Sequence, residues 1–195
     1  MAIGFWQTLN TLQASGTPVT AAARTSMTAG STQGRFTLPA NAIKVPGDQL
    51  RVEASGIISC VVTTPGTARF DLAVATVAKL DTTAMPLNIV ARTSVPWDLR
   101  LIATFTTVGT SALVSWNGVW ISEAMINTAL QATGPGPGGT SVPYSGTATG
   151  GTTSGVAFGD TTVSNILDLY FTQTVTTGSC TLQQMNISLL TATGF

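Results

Sequence analysis

Apolar residues recur with a period of two along most of this chain, and helical spacing at i, i+3, i+4 and i+7 is not sustained outside one short stretch. The chain is therefore predicted to be mainly β. Leu50, Val52, Ala54, Ile58, Cys60 and Val62 share one parity, against Arg51, Glu53, Ser55 and Ser59 on the other, as in a strand half buried against a core. Ile57 and Val61 depart from that pattern mildly. Phe70, Leu72 and Val74 alternate with Arg69 and Asp71, and Trp97, Leu99, Leu101, Ala103 and Phe105 alternate with Asp98, Arg100, Thr104 and Thr106. Both stretches predict strands with one face inward. Between Val114 and Met125, Asn117-Gly118 signals a turn or bulge, so two short strands or one bent strand are expected there.

Towards the C-terminus Leu167, Leu169 and Phe171 alternate with Asp168, Tyr170 and Thr172, and the turn Thr176-Thr177-Gly178-Ser179 predicts a hairpin. Its second strand has Cys180 and Leu182 on one parity but Met185, Ile187 and Leu189 on the other. A one-residue slip near Gln183-Gln184 would keep all five inward, which predicts a β-bulge. Strands at this spacing with Thr-rich outer faces predict an all-β antiparallel sandwich of about eight strands in two sheets.

Two segments stand outside that pattern. Residues 1–34 hold no clean strand before Arg35-Phe36-Thr37-Leu38-Pro39, and their apolar Phe5, Trp6, Leu9 and Leu12 are too few for a stable lone helix. An extended arm ordered by a partner is expected, leaving 35–195 as the sandwich domain. Residues 132–159 are rich in Gly, Pro, Ser and Thr and predict a long exposed loop.

Composition narrows the chemistry. Of 195 residues only 8% are charged, eight cations balance eight anions, and histidine is absent. Eight scattered cations make no basic stripe, so neither nucleic acid nor an anionic membrane is an expected partner. No apolar run approaches the roughly 20 residues of a spanning helix, and the N-terminus lacks the pattern of a secretory signal; a soluble protein made in the cytosol is expected. In that compartment Cys60 and Cys180 are read as two buried thiols rather than a bridge.

Without histidine the usual serine triad and the commonest metal ligand are missing, and two cysteines are too few for a thiolate zinc site. No G-x-S-x-G elbow occurs, and the Gly-rich stretch 134–155 lacks the ending of a phosphate-binding loop. The carboxylates Asp48, Asp81 and Asp160 read as turn residues. Glu53, Asp71, Asp98, Glu123 and Asp168 read as outward or paired strand residues, with Asp98 and Arg100 placed to pair across one face. No enzyme activity, cofactor or metal is expected. Trp97 is in phase with core residues, whereas Trp116 and Trp120 flank the Asn-Gly signal and are candidates for core, a subunit interface or a glycan platform. Phe5 and Trp6, with no core beside them, read as anchors into a partner protein.

The stretch from Arg35 through Phe36-Thr37-Leu38-Pro39-Ala40-Asn41 to Gly47-Asp48-Gln49-Leu50-Arg51-Val52 resembles a family of tailed-phage virion proteins, with a similar opening strand, LPAN-type turn and G-D-x-L-R-V strand. Thr64-Pro65-Gly66-Thr67, Val95-Pro96-Trp97-Asp98-Leu99, Ser122-Glu123-Ala124 and Asp168-Leu169-Tyr170-Phe171-Thr172-Gln173 extend the likeness over residues 35 to 190. What the resemblance implies is a jelly-roll domain of the head decoration or cement type. It would be a homotrimer on the outer surface of the capsid, bound to the major capsid protein, stabilising the head and made in the host bacterial cytoplasm. On that reading Phe5, Trp6, Leu9, Leu12 and Arg24 are the candidate capsid anchor. The alternative is a tail or head-fibre component with a glycan-binding jelly-roll tip, placed near Trp116 and Trp120 or on the 132–159 loop.

Overall fold

The computed structural model describes residues 6–12, 14–28, 35–61, 66–82, 84–125, 142–144 and 154–191. Among them are thirteen strands: β1 (Trp6–Thr11), β2 (Arg24–Ser26), β3 (Phe36–Leu38), β4 (Gln49–Cys60), β5 (Thr67–Val74), β6 (Val77–Asp81), β7 (Met85–Pro86), β8 (Arg92–Thr107), β9 (Ala112–Ser122), β10 (Val142–Tyr144), β11 (Val156–Gly159), β12 (Asn165–Gln173) and β13 (Ser179–Leu190). The count exceeds the expected eight because short strands extend the edges of the six long ones, β4, β5, β8, β9, β12 and β13. All pairing is antiparallel. Sheet A runs β1-β13-β4-β8-β9-β10, with β11 also on β9, and sheet B runs β2-β12-β5-β6, with β3 on β12 and β7 on β5.

The alternating strands behave as their parity requires. In β4 Leu50, Val52, Ala54, Ile58 and Cys60 are buried, and in β8 Trp97, Leu99, Leu101, Ala103 and Phe105 are buried. Val62 lies outside the described residues. The two sheets meet through aromatic rings: Phe70 of sheet B lies 4.6 Å from Trp97 and 4.9 Å, edge-on, from Trp120 of sheet A. The closure is a sandwich core.

Register supplies the details. In β13 Leu182 faces Gly56 and Gln184 faces Ser55, so Gln183 is the extra residue of a bulge that turns Met185, Ile187 and Leu189 inward beside Cys180 and Leu182. At Asn117-Gly118 there is neither turn nor break: β9 is continuous, Asn117 faces Ile102 and Gly118 faces Leu101. A Cβ on Gly118 would come within 2.6 Å of the Leu101 side chain and 3.0 Å of the Trp116 ring, so here glycine makes room for packing.

The expected arm is instead a strap on the protein's own domain. β1 pairs with the outer edge of β13. The chain continues along that edge, with Gly16 and Val19 amides donating to the Leu182 and Cys180 carbonyls, and then crosses to sheet B, where β2 and β3 lie end to end along β12. Leu12, Val19 and Met27 join the core. The turn at Thr176–Ser179 does not close a hairpin, because β12 lies in sheet B and β13 in sheet A; the strap covers the outer edges of both strands, which would otherwise present unpaired backbone groups. Sequence periodicity missed it because pairing on one side needs no long alternating run. Within 132–159, likewise, Val142–Tyr144 pairs with β9 and Val156–Gly159 is a strand whose Phe158 packs on Phe105 at 4.8 Å. Those parts of the expected loop are sheet edge.

Candidate functional site

Charge is distributed unequally between the two outer faces. On sheet B the acidic residues are buried and matched by arginine. Arg24 donates from Nη2 to Asp71 Oδ1 (2.6 Å) and from Nε to Oδ2 (2.9 Å), donates from Nη1 to the Thr76 carbonyl (3.0 Å), and stacks 3.7 Å from the Tyr170 ring centroid. Its pKa is raised, first by the hydrogen bond to Asp71. Arg69 pairs with Asp81 at 2.9 Å. Asp168 accepts from Thr28 Oγ1 (2.5 Å), Ser26 Oγ (3.0 Å) and Arg35 Nε (3.0 Å), so it ties β12 to the end of β2 and to the residue before β3. These groups hold the strap to the sheet.

The outer face of sheet A is different. Cross-strand register places Asn186, Glu53, Arg100 and Val119 in one row and Gln184, Ser55, Asp98 and Ile121 in the next. With Thr11 of β1 these rows line an open groove of about 760 Å³. Glu53 lies 3.6 Å from Arg51, which sits 4.4 Å from the Trp6 ring. Among the described residues the Asp98 and Arg100 side chains have no hydrogen bond or ion pair, so the expected contact between them does not form. Asn186 donates to Ser188 Oγ at 3.3 Å, and its Oδ1 is shielded from solvent without a partner. The groove thus gathers unused donors and acceptors beside an aliphatic strip.

The residues singled out from sequence are dispersed. Leu12 is in the core and Arg24 is committed to Asp71, which removes both from a capsid anchor. Leu9 packs against the core, Trp6 keeps an exposed face, and Phe5 lies outside the described residues. Trp116 and Trp120 point into the core, because their parity matches Val114 across the uninterrupted strand, and they offer no glycan platform. Cys60 and Cys180 are buried free thiols, and burial pushes both pKa values up, Cys180 well up. Asp48 accepts from the Lys44 and Val45 amides, and Asp160 from the Thr162 amide and hydroxyl, both within turns. Periodicity placed Glu53, Asp98 and Arg100 outward but not Ser55, Gln184 and Asn186 beside them, since neighbourhood across strands depends on register and the bulge.

No protein-family model, curated protein or solved structure matches the chain.

Proposed function

We propose that this chain is a non-enzymatic structural protein of a phage particle, a capsid decoration or cement protein. On this reading it associates as a homotrimer and binds the major capsid protein on the outer surface of the head. The observation that carries the reading is a set of exposed aliphatic side chains near one end of sheet B. Val77, Val163 and Ile166 are 55%, 50% and 48% exposed. Val77 follows the Ala75-Thr76 turn, whose Ala75 amide donates to the Ile166 carbonyl. On this reading another protein covers these exposed aliphatic side chains. A surface with few ions also suits permanent assembly, because contact desolvates little charge.

The jelly-roll form belongs to the same reading. It is supported by the β4–β5 and β12–β13 connections, each of which crosses between sheets, so that β4 lies beside β13 and β5 beside β12. The β8–β9 hairpin, which stays within sheet A, departs from the eight-strand version of that roll.

Particles stripped of surface proteins and incubated with purified chain test the assignment. Wild type is expected to add at symmetry-related sites on the head and to sediment as a trimer when free. Val77→Asp and Ile166→Asp are expected to lower occupancy at least tenfold with little change in melting temperature. Full occupancy by both variants, or density confined to the tail, refutes the assignment.

A further inference from the structure

We infer that the groove on the outer face of sheet A is a saccharide-binding site. This goes beyond attachment to a particle and stands independently of where on a particle the chain sits. Charge is the first argument. Glu53 and Asp98 are balanced by Arg100 and by Arg51 beside Glu53, so the site has no net charge with which to hold a free cation or anion. Its complement is a neutral ligand.

Hydrogen-bonding chemistry is the second. Asp98 and Glu53 accept, the Arg100 guanidinium donates in a planar fork, and the Gln184 amide does both. Asp98 and Arg100 carry no side-chain hydrogen bond or ion pair among the described residues, so both charged groups are free to bond a ligand. Ligands with adjacent hydroxyls, each able to donate and accept, satisfy such a mixed set. Val119 and Ile121 along one side would take the C–H face of a sugar ring.

Shape and backbone chemistry exclude the other occupants. A volume of about 760 Å³ falls in the range of small-ligand sites, and a flat sheet face from a second copy would leave it unfilled. An extended peptide would bring backbone N–H and C=O groups to strands whose own are engaged in the β13–β4–β8–β9 ladders, with no free edge to join.

The intact protein, applied to an array of bacterial surface polysaccharides and neutral oligosaccharides, is expected to bind a subset. Affinity is then measured by calorimetry with the soluble oligosaccharide from each positive spot. Asp98 and Arg100 are exposed, so Asp98→Asn and Arg100→Ala should fold normally. Each is expected to weaken binding about tenfold or more, the scale of a lost charged hydrogen bond. Lys44→Ala, on a distant turn, should bind as wild type. Binding to no saccharide, or binding indifferent to both groove substitutions, overturns the inference. So does a change in sedimentation mass on these substitutions without saccharide binding, which would make the groove a contact between copies. Failure on stripped particles bears on the capsid assignment alone, because the array uses free protein.

Discussion

Arg24→Ala is the sharpest test of how the strap is held. In the native protein the Asp71 side chain is 0% exposed and its guanidinium partner 29% exposed. Truncation removes two charge-assisted hydrogen bonds, the bond to the Thr76 carbonyl and the stack on Tyr170. It also leaves a buried carboxylate without its cation. Breaking a buried pair from one side costs about 3–5 kcal/mol. The partial exposure of Arg24 favours the low end, about 3 kcal/mol, equivalent to a fall in melting temperature of about 6–12 °C for a domain of this size. Arg24→Ala/Asp71→Ala should recover most of that loss, since the uncompensated charge is gone, giving a coupling energy of about 2 kcal/mol. Arg35→Ala provides the contrast. Asp168 keeps the Thr28 and Ser26 hydroxyls as donors and Arg35 is 56% exposed, so that change should cost below about 1 kcal/mol. Urea denaturation of wild type, Arg24→Ala, Asp71→Ala, the double variant and Arg35→Ala, followed by circular dichroism, gives these values. A loss under about 1 kcal/mol for Arg24→Ala, or additive single and double variants, refutes the reasoning.

Three further outcomes are expected. Gly56→Ala should abolish folding or lower stability by more than about 3 kcal/mol, because a Cβ there would lie 1.9 Å from the Thr181 carbonyl oxygen; a normal melting curve would contradict the β4–β13 register. Deleting Gln183 should remove the bulge and turn Met185, Ile187 and Leu189 outward, seen as insoluble or dye-binding protein, whereas Gln183→Thr should be mild; a deletion variant that melts like wild type would show the bulge to be dispensable. Both thiols, held neutral by burial, should resist labelling until the protein unfolds. Their folded pKa values lie above the unfolded ones, so their contribution is complete below about pH 9 and is lost as pH rises through the folded values, by up to about 1.4 kcal/mol per pH unit for each thiol. Cys180→Ala should flatten that alkaline decline, and an unchanged slope would count against the burial of Cys180.

Parity along the chain determined which residues face the core in β4, β8, β12 and β13, and even where β13 slips, because a side-chain period of two leaves an apolar stripe only one way to be buried. The missing histidine and scarce charge, likewise, are properties of composition that no fold can alter. What tertiary structure alone decided is which residues lie side by side. The strap reads as an arm in sequence since its contacts are long-range: Leu12, Val19 and Met27 become core, and Arg24 becomes structural, only because β12 and β13 offer open edges and Asp71 a buried charge. Trp116 and Trp120 are core because Gly118 packs within a continuous strand instead of turning it. The groove has the same origin. Asn186, Glu53 and Arg100 come from three strands, and only the register of β13 on β4 and of β4 on β8, set by the bulge at Gln183, brings them into one row.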